Sequence, residues 1–263
     1  MLHALGSPTG PAVLFLHGVG GAAWSWAPQV EALGSSFACF VWEARGHGAA
    51  PPVDDAGLGD YFVDAREALD AVRALRPDVR LVGHSMGGLL AIALAAQSPQ
   101  QIVSLALVDP VYPDADGAPA HDLGPFKPLL LQLLRPLVAS VVRGGWLARS
   151  LSRWIFANSF IHKDVMERAW LEQRRQVPVE YPKMFFEAFG SPAGFPDEPF
   201  ARSIDVPVLL FNTRSKELET TLGARLGERF ENVRIPGGHY LQWDAATQVN
   251  ERLRRFLGEA QAT

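Results

Sequence analysis

Gly83-His84-Ser85-Met86-Gly87 is where residue types and spacing in this chain could do covalent chemistry. The apolar pair Leu81-Val82 before it reads as the end of a strand, and Leu89 to Leu94 after it as a helix. A glycine on each side of the serine lets the backbone turn sharply between the two, which lifts the hydroxyl above the sheet. The helix then points its unpaired N–H groups at the same spot, where developing negative charge is favoured. A serine so held suits nucleophilic attack on a carbonyl carbon, provided that an imidazole takes its proton. Seven histidines are available: His3, His17, His47, His84, His121, His162 and His239. A serine that merely lines a tight turn is the plainer reading of the motif, and the strand–turn–helix context argues against it.

The elements needed to hold such a site are present. Ala12 to Leu16 is a compact apolar run ending at His17-Gly18, as in a buried parallel strand. Phe37 to Trp42, Val79 to Val82, Ile102 to Val108, Val206 to Phe211 and the short Val233 to Ile235 repeat that signal. Between them lie helix-like stretches: Trp24 to Leu33, Asp60 to Leu75 closed by Pro77, Met86 to Gln97, and a terminal stretch from Ala245 to Leu257. Strands alternating with helices of this length imply crossover units and a parallel sheet, so the fold class is α/β.

One region breaks the alternation. From Tyr112 to Arg202 no convincing strand occurs, while Phe126, Leu129, Leu130, Leu133, Leu134 and Leu137 keep a helical period. Lys163 to Arg175 and Tyr181 to Phe189 are further helical candidates, and Pro- and Gly-rich stretches mark both ends. We expect a helical cap over 112–202, inserted between core segments 1–111 and 203–263. The other arrangement compatible with these patterns is a set of extra helices packed directly on the sheet.

Composition bounds the function. Across 263 residues, 48% hydrophobic and 20% charged suits a folded chain with a sizeable core, in the range of one α/β domain. A net charge of −4 with no basic stripe argues against nucleic acid as a partner. Cys39 stands alone, which excludes an internal disulfide framework and offers no cysteine metal site; its apolar run reads as a buried thiol. No basic segment followed by an apolar stretch opens the chain, so no secretory signal is expected. The apolar stretch from Phe126 to Val142 is interrupted by Lys127, Pro128, Gln132, Arg135 and Pro136. A membrane span needs about 20 mostly unbroken apolar residues, so we expect no span and a cytoplasmic enzyme.

In several separate places the chain resembles the α/β-hydrolase family. His17-Gly18-Val19-Gly20-Gly21 is similar to its oxyanion loop, and Glu43-Ala44-Arg45-Gly46-His47-Gly48 to its D-x-R-G-x-G turn, with glutamate for aspartate. Gly83 to Gly88 resembles the nucleophile elbow, and Gly237-Gly238-His239 before a terminal helix resembles the histidine loop. The matches run in family order and cover nearly the whole chain outside the cap. Only Met1 to Pro11 precedes the equivalent of the family's third strand, so the sheet should be short, with about six or seven strands.

The resemblance implies roles. Ser85 attacks, His239 acts as general base and then acid, and the N–H groups of Val19 and Met86 form the oxyanion hole. His17 and His84 resemble structural positions, and His3, His47, His121 and His162 lack a matching context. The acid is less regular. The family usually carries an aspartate a few residues past the strand at Val206 to Phe211, where this chain reads Asn212-Thr213-Arg214-Ser215-Lys216-Glu217. Either Glu217 or Glu219 reaches back, or the acid sits one strand earlier at Asp109, which could also simply cap the strand-end turn. Asp109 is the preferred acid, and Glu217 its alternative.

No metal or organic cofactor is implied. A serine nucleophile fits acyl transfer to water, with a carboxylic ester, thioester or lactone as substrate, through an acyl-enzyme. Hydrolysis of a carbon–carbon bond and perhydrolysis are open to the same residues, and a weakly active small-molecule binder is the non-enzymatic alternative. Phe126, Trp146, Trp154, Phe156, Phe160 and Trp170 in the cap suit an apolar acyl or alkyl group, although packing accounts for most such side chains.

Overall fold

The computed structural model describes residues 1–51, 53, 56–111, 204–212 and 216–259. The expected cap at 112–202 lies outside the described residues.

Seven strands form one sheet: β1 (Leu2–Gly6), β2 (Ala12–Leu16), β3 (Ala38–Trp42), β4 (Val79–His84), β5 (Ile102–Val108), β6 (Val208–Asn212) and β7 (Phe230–Arg234). Their spatial order is β1-β3-β2-β4-β5-β6-β7. All neighbours are parallel except β1, which pairs antiparallel with β3 from Leu2↔Trp42 to Gly6↔Ala38. This antiparallel edge strand is the element absent from the sequence-based expectation. Leu2–Gly6 is half-buried to exposed, and no apolar alternation marks it; ladder bonds to β3 form it instead.

Among the described residues six helices flank the sheet: α1 (Ala27–Leu33), α2 (Leu58–Leu75), α3 (Met86–Gln97), α4 (Lys216–Leu226), α5 (Leu241–Asp244) and α6 (Ala246–Glu259). Side-chain parity along the strands builds two cores. Leu14, Leu16, Leu81, Leu105, Leu107 and Leu210 pack with Leu69 of α2, Leu90 of α3 and Leu222 of α4. The intervening residues Val13, Phe15, Val82, Val108 and Phe211 pack on the other face with Leu33 of α1, Leu241 of α5 and Leu253 of α6. Both sheet faces are therefore covered, which is why β2 is apolar at every position, Ala-Val-Leu-Phe-Leu, and buried throughout.

The expected helix from Trp24 is split. Ala23–Trp26 makes a 3-10 turn and α1 begins at Ala27, with Pro28 in its first turn, where a missing N–H costs no helical bond. Cys39 is fully buried, and burial raises its thiol to about 11, as an inert core residue requires. Among the described residues no helix is long and apolar enough to cross a membrane.

The sheet fixes where a site can form. The chain leaves β2 for β3 on one side and then crosses to β4 on the other, so strand order reverses between β2 and β4. Ligand sites in open α/β sheets lie outside the carboxyl ends of strands at such a point. In register, Leu16 lies opposite Gly83, His84 opposite Val108, and Val108 opposite Phe211. Just past these ends lie Gly18, Ser85 and Asp109.

Candidate active site

Ser85 holds a backbone conformation of φ 53°, ψ −118°, in the region that L-residues rarely adopt. The surrounding structure compels it. The Ser85 N–H donates to the Val108 carbonyl at 3.2 Å, and the Ser85 carbonyl accepts from Leu89 at 3.1 Å and Val111 at 3.1 Å. The turn is tight because its neighbours lack side chains: a Cβ on Gly87 would lie 2.1 Å from the Leu16 carbonyl oxygen. Strain of this kind costs on the order of 1–3 kcal/mol and persists where the fold over-determines it. Its effect is to turn the hydroxyl away from α3. Ser85 sits at the N-cap position of that helix yet makes no side-chain capping bond.

The hydroxyl instead meets His239, with Ser85 Oγ 2.9 Å from His239 Nε2. On the far side of the ring, Nδ1 lies 2.6 Å from Asp109 Oδ2. A carboxylate only accepts, so Nδ1–H donates to Asp109, Nε2 is left bare, and the serine hydroxyl donates to it. Asp109 is itself a non-glycine residue at positive φ, 41°, held by its N–H donating to the Phe211 carbonyl at 2.8 Å. The hydrogen-bonded pair is largely shielded, with the Asp109 side chain 15% and the His239 side chain 29% exposed. A hydroxyl, an imidazole and a carboxylate in this series can move a proton from serine to histidine as charge develops on a substrate.

His239 lies in the loop between β7 and α5, and four contacts hold that loop. The Gly238 N–H donates to Asp244 Oδ2 at 2.9 Å. Trp243 Nε1–H donates to the Ser25 carbonyl at 3.0 Å, and the Trp24 and Tyr240 rings stack with centroids 6.3 Å apart. His84 Nε2 lies 2.9 Å from the His239 carbonyl oxygen.

Val19 follows a peptide of defined orientation. The Gly18 carbonyl accepts from His17 Nδ1–H at 2.7 Å and from the Gly21 N–H at 3.0 Å. His17 Nε2 in turn accepts from the Ala44 N–H at 3.1 Å, so the ring is neutral with its proton on Nδ1. Burial, with the nearby His47 ring adding to it, lowers His17 to about 3. The peptide is trans, so the Val19 N–H points opposite to the tethered carbonyl. Gly18 lies against the serine: a Cβ there would meet Ser85 Cβ at 2.8 Å. Met86 is the first residue of α3, where an N–H has no acceptor within the helix.

Glu43 ties this loop to the rest of the sheet. Its carboxylate accepts from the N–H groups of Ala23 and Ala49, each at 2.9 Å, and from His3 Nε2 at 2.9 Å. Burial pushes Glu43 upward, but the Ala23 and Ala49 N–H groups and His3 together hold it below the usual range. The glutamate in the expected aspartate's place is thus a buried acceptor rather than a free acid.

Of the sequence-derived candidates, the structure brings Ser85, His239 and Asp109 into hydrogen-bond contact, with Gly18-Val19 and Met86 around the serine. Glu217 lies in α4, with its side chain outside the described residues, as are His121 and His162. His47 is buried and bonded to the Arg45 carbonyl at 3.0 Å. Sequence reasoning missed the tethers Asp244, Trp243 and Tyr240. The signal for them was present, since Tyr240, Trp243 and Asp244 follow His239 within one short segment.

Comparison with known proteins agrees with this architecture. A model described as "Alpha/beta hydrolase family" matches residues 13–252. A RutD protein of Rhizobium rhizogenes, whose name describes a carbamate hydrolase, is 30% identical over 264 residues, covering 97% of this chain and 96% of its own. A RutD protein of Variovorax paradoxus is 38% identical over 107 residues, a match that spans 40% of each chain. Among solved structures, the enol-lactonase of Burkholderia xenovorans LB400 superposes with a TM-score of 0.77 at 19% identity, covering 98% of this chain and 96% of that one. A hydrolase from Oleispira antarctica gives 0.78 at 18% identity, over 98% and 94%. The chain, with its seven-stranded sheet, belongs to the alpha/beta hydrolase family.

Proposed function

We propose that the protein is a serine hydrolase of acyl compounds that works through an acyl-enzyme on Ser85. The observation that carries the reading is the continuous series from Ser85 Oγ through His239 to Asp109, at 2.9 and 2.6 Å. As Ser85 Oγ bonds to the carbonyl carbon, its proton passes to His239 Nε2, and the carbonyl oxygen becomes an oxyanion. Asp109 keeps the proton of Nδ1 in place and stabilises the imidazolium. The N–H groups of Val19 and Met86 hold the oxyanion, and loss of one such donor typically costs about 10²-fold or more in rate. His239 then returns its proton to the leaving group. Water, activated by the same imidazole, releases the acid and restores Ser85.

The substrate is a small molecule with an apolar acyl or alkyl group: an ester, thioester or lactone. The aromatic residues within 112–202 support the apolar preference. Similarity to RutD over nearly the whole chain favours a carbamate as a second substrate class, because a carbamate presents the same kind of carbonyl carbon to the serine.

The test is the hydrolysis of 4-nitrophenyl esters from two to twelve acyl carbons, beside a 4-nitrophenyl carbamate, by wild type and Ser85→Ala. Turnover that vanishes in a folded Ser85→Ala supports the reading, and the best substrate sizes the pocket. Folded wild type that turns over none of them would move the function to carbon–carbon cleavage or to binding. A Ser85→Ala variant that keeps the wild-type rate would remove Ser85 from the chemistry.

A further inference from the structure

His84 is fully buried and is peptide-bonded to the proposed nucleophile. As the last residue of β4 it shares side-chain parity with Val82, so its ring turns toward the face covered by α1, α5 and α6. There it meets His239 at a centroid distance of 4.7 Å and Tyr240 at 4.5 Å, with Trp26 edge-on at 6.5 Å. Nε2 lies 2.9 Å from the His239 carbonyl, which only accepts, so the ring proton is on Nε2. Nδ1 is buried with no hydrogen-bond partner, and it lies beside Gly18, where a Cβ would come within 2.9 Å of it.

That bare nitrogen shows what the histidine is for. A buried acceptor without a donor is a cost to the fold, and a phenylalanine would fill the same aromatic slot without it. What histidine adds over phenylalanine is the Nε2–H bond to the carbonyl of His239. The bond joins the turn that carries the serine to the loop that carries the imidazole. Loops are the elements that open most readily, so the distance from His239 to Ser85 depends on such a tether.

We propose that His84 is a positioning residue, whose Nε2–H bond to the His239 carbonyl sets the reach of the His239 ring toward Ser85 and Asp109. The inference rests on the serine-hydrolase reading given above. Its neighbours are consistent with a ring that stays neutral through the cycle. Burial holds His84 well below its ordinary value, and His239 lowers it further; among the described residues Asp109 raises it, His17 lowers it, and the Tyr240 ring also faces it. A neutral ring at this distance adds no like charge when His239 becomes imidazolium.

The test compares His84→Phe, His84→Gln and His84→Asn with wild type and Ser85→Ala, on the 4-nitrophenyl ester that wild type hydrolyses best. Glutamine can place its amide near the position of Nε2, whereas asparagine is too short. His84→Phe and His84→Asn should lower kcat by about tenfold to a hundredfold with little change in KM, the effect of a misplaced catalytic group. His84→Gln should restore most of the lost rate. If His84→Phe does not fold, the Gln and Asn pair carries the same contrast. Equal rates in Gln and Asn, or a His84→Phe variant with wild-type kcat, would overturn the proposal. If Ser85→Ala is inactive while the His84 series is flat, only this inference fails; if Ser85→Ala is active, both fail.

Discussion

His239 Nδ1 lies 2.6 Å from a carboxylate oxygen of Asp109, a residue 130 positions earlier in the chain. The contact depends on the sheet rather than on the loop after β6. Asp109 follows β5 directly, and two bonds fix that strand end: Asp109 N–H to the Phe211 carbonyl, and Ser85 N–H to the Val108 carbonyl. Ser85 and Asp109 are therefore carried at the ends of adjacent strands, β4 and β5, and the His239 imidazole meets both from its own loop.

Asp109→Asn should accordingly lose on the order of 10³–10⁴-fold in kcat, since an amide stabilises neither the right tautomer nor the imidazolium. Glu217→Gln should stay near the wild-type rate. Kinetics of both variants, with melting temperatures beside them, check the ranking, and the reverse order would make Glu217 the acid.

Gly18→Ala tests the packing of the loop on the serine. The added methyl would lie 2.8 Å from Ser85 Cβ and 2.9 Å from His84 Nδ1, so the loop or the serine must shift. A displacement of about 1 Å at reacting groups costs roughly 10²-fold, and kcat should fall by that order while the far-ultraviolet dichroism is unchanged. A fully active Gly18→Ala would mean that the loop moves freely.

Stability should fall as the solution is made acidic, in part through His17. Burial first, and the neighbouring His47 ring second, lower it to about 3 in the folded protein, against an ordinary value of 6.5. Above pH 6.5 the residue is neutral in both folded and unfolded chains. Below it the unfolded chain takes up a proton that the folded one refuses, so stability declines from about pH 6.5 down to about pH 3. The slope from one such group is about 1.4 kcal/mol per pH unit. Urea unfolding at several pH values should show His17→Gln less pH-dependent by about one proton; an unchanged slope would assign the effect to other groups.

Removing the buried Glu43 carboxylate leaves the N–H groups of Ala23 and Ala49 without their acceptor. Hydrogen bonds to a charged group contribute about 1.5–3 kcal/mol each, so Glu43→Ala should lower the unfolding free energy by a few kcal/mol. Denaturant unfolding measures this directly, and a midpoint equal to wild type would show that water replaces the carboxylate.

β2 to β6 were legible because each is a mainly apolar run bounded by turn chemistry, whereas β7, Phe-Glu-Asn-Val-Arg and only half-buried, was marked from sequence at its end alone, by Val233 to Ile235. Buried parallel strands write their environment into composition, and the elbow at Ser85 is local, needing only a strand, two glycines and a helix. β1 was not legible: Leu2–Gly6 carries no pattern of its own and becomes a strand through pairing with β3. The ends of β6 and β7 also shifted, to Val208–Asn212 and Phe230–Arg234, since ladder partners rather than propensity decide where a strand stops.

The candidate site divides the same way. By itself the chain specified the residue types, their order, and Ser85 on its strained turn, because these follow from short-range sterics. Which carboxylate meets His239, which carbonyl His84 holds, and which N–H groups Glu43 satisfies were decided only in the tertiary structure. Those contacts join segments far apart in sequence, and their distances depend on strand order and register, which no local pattern encodes.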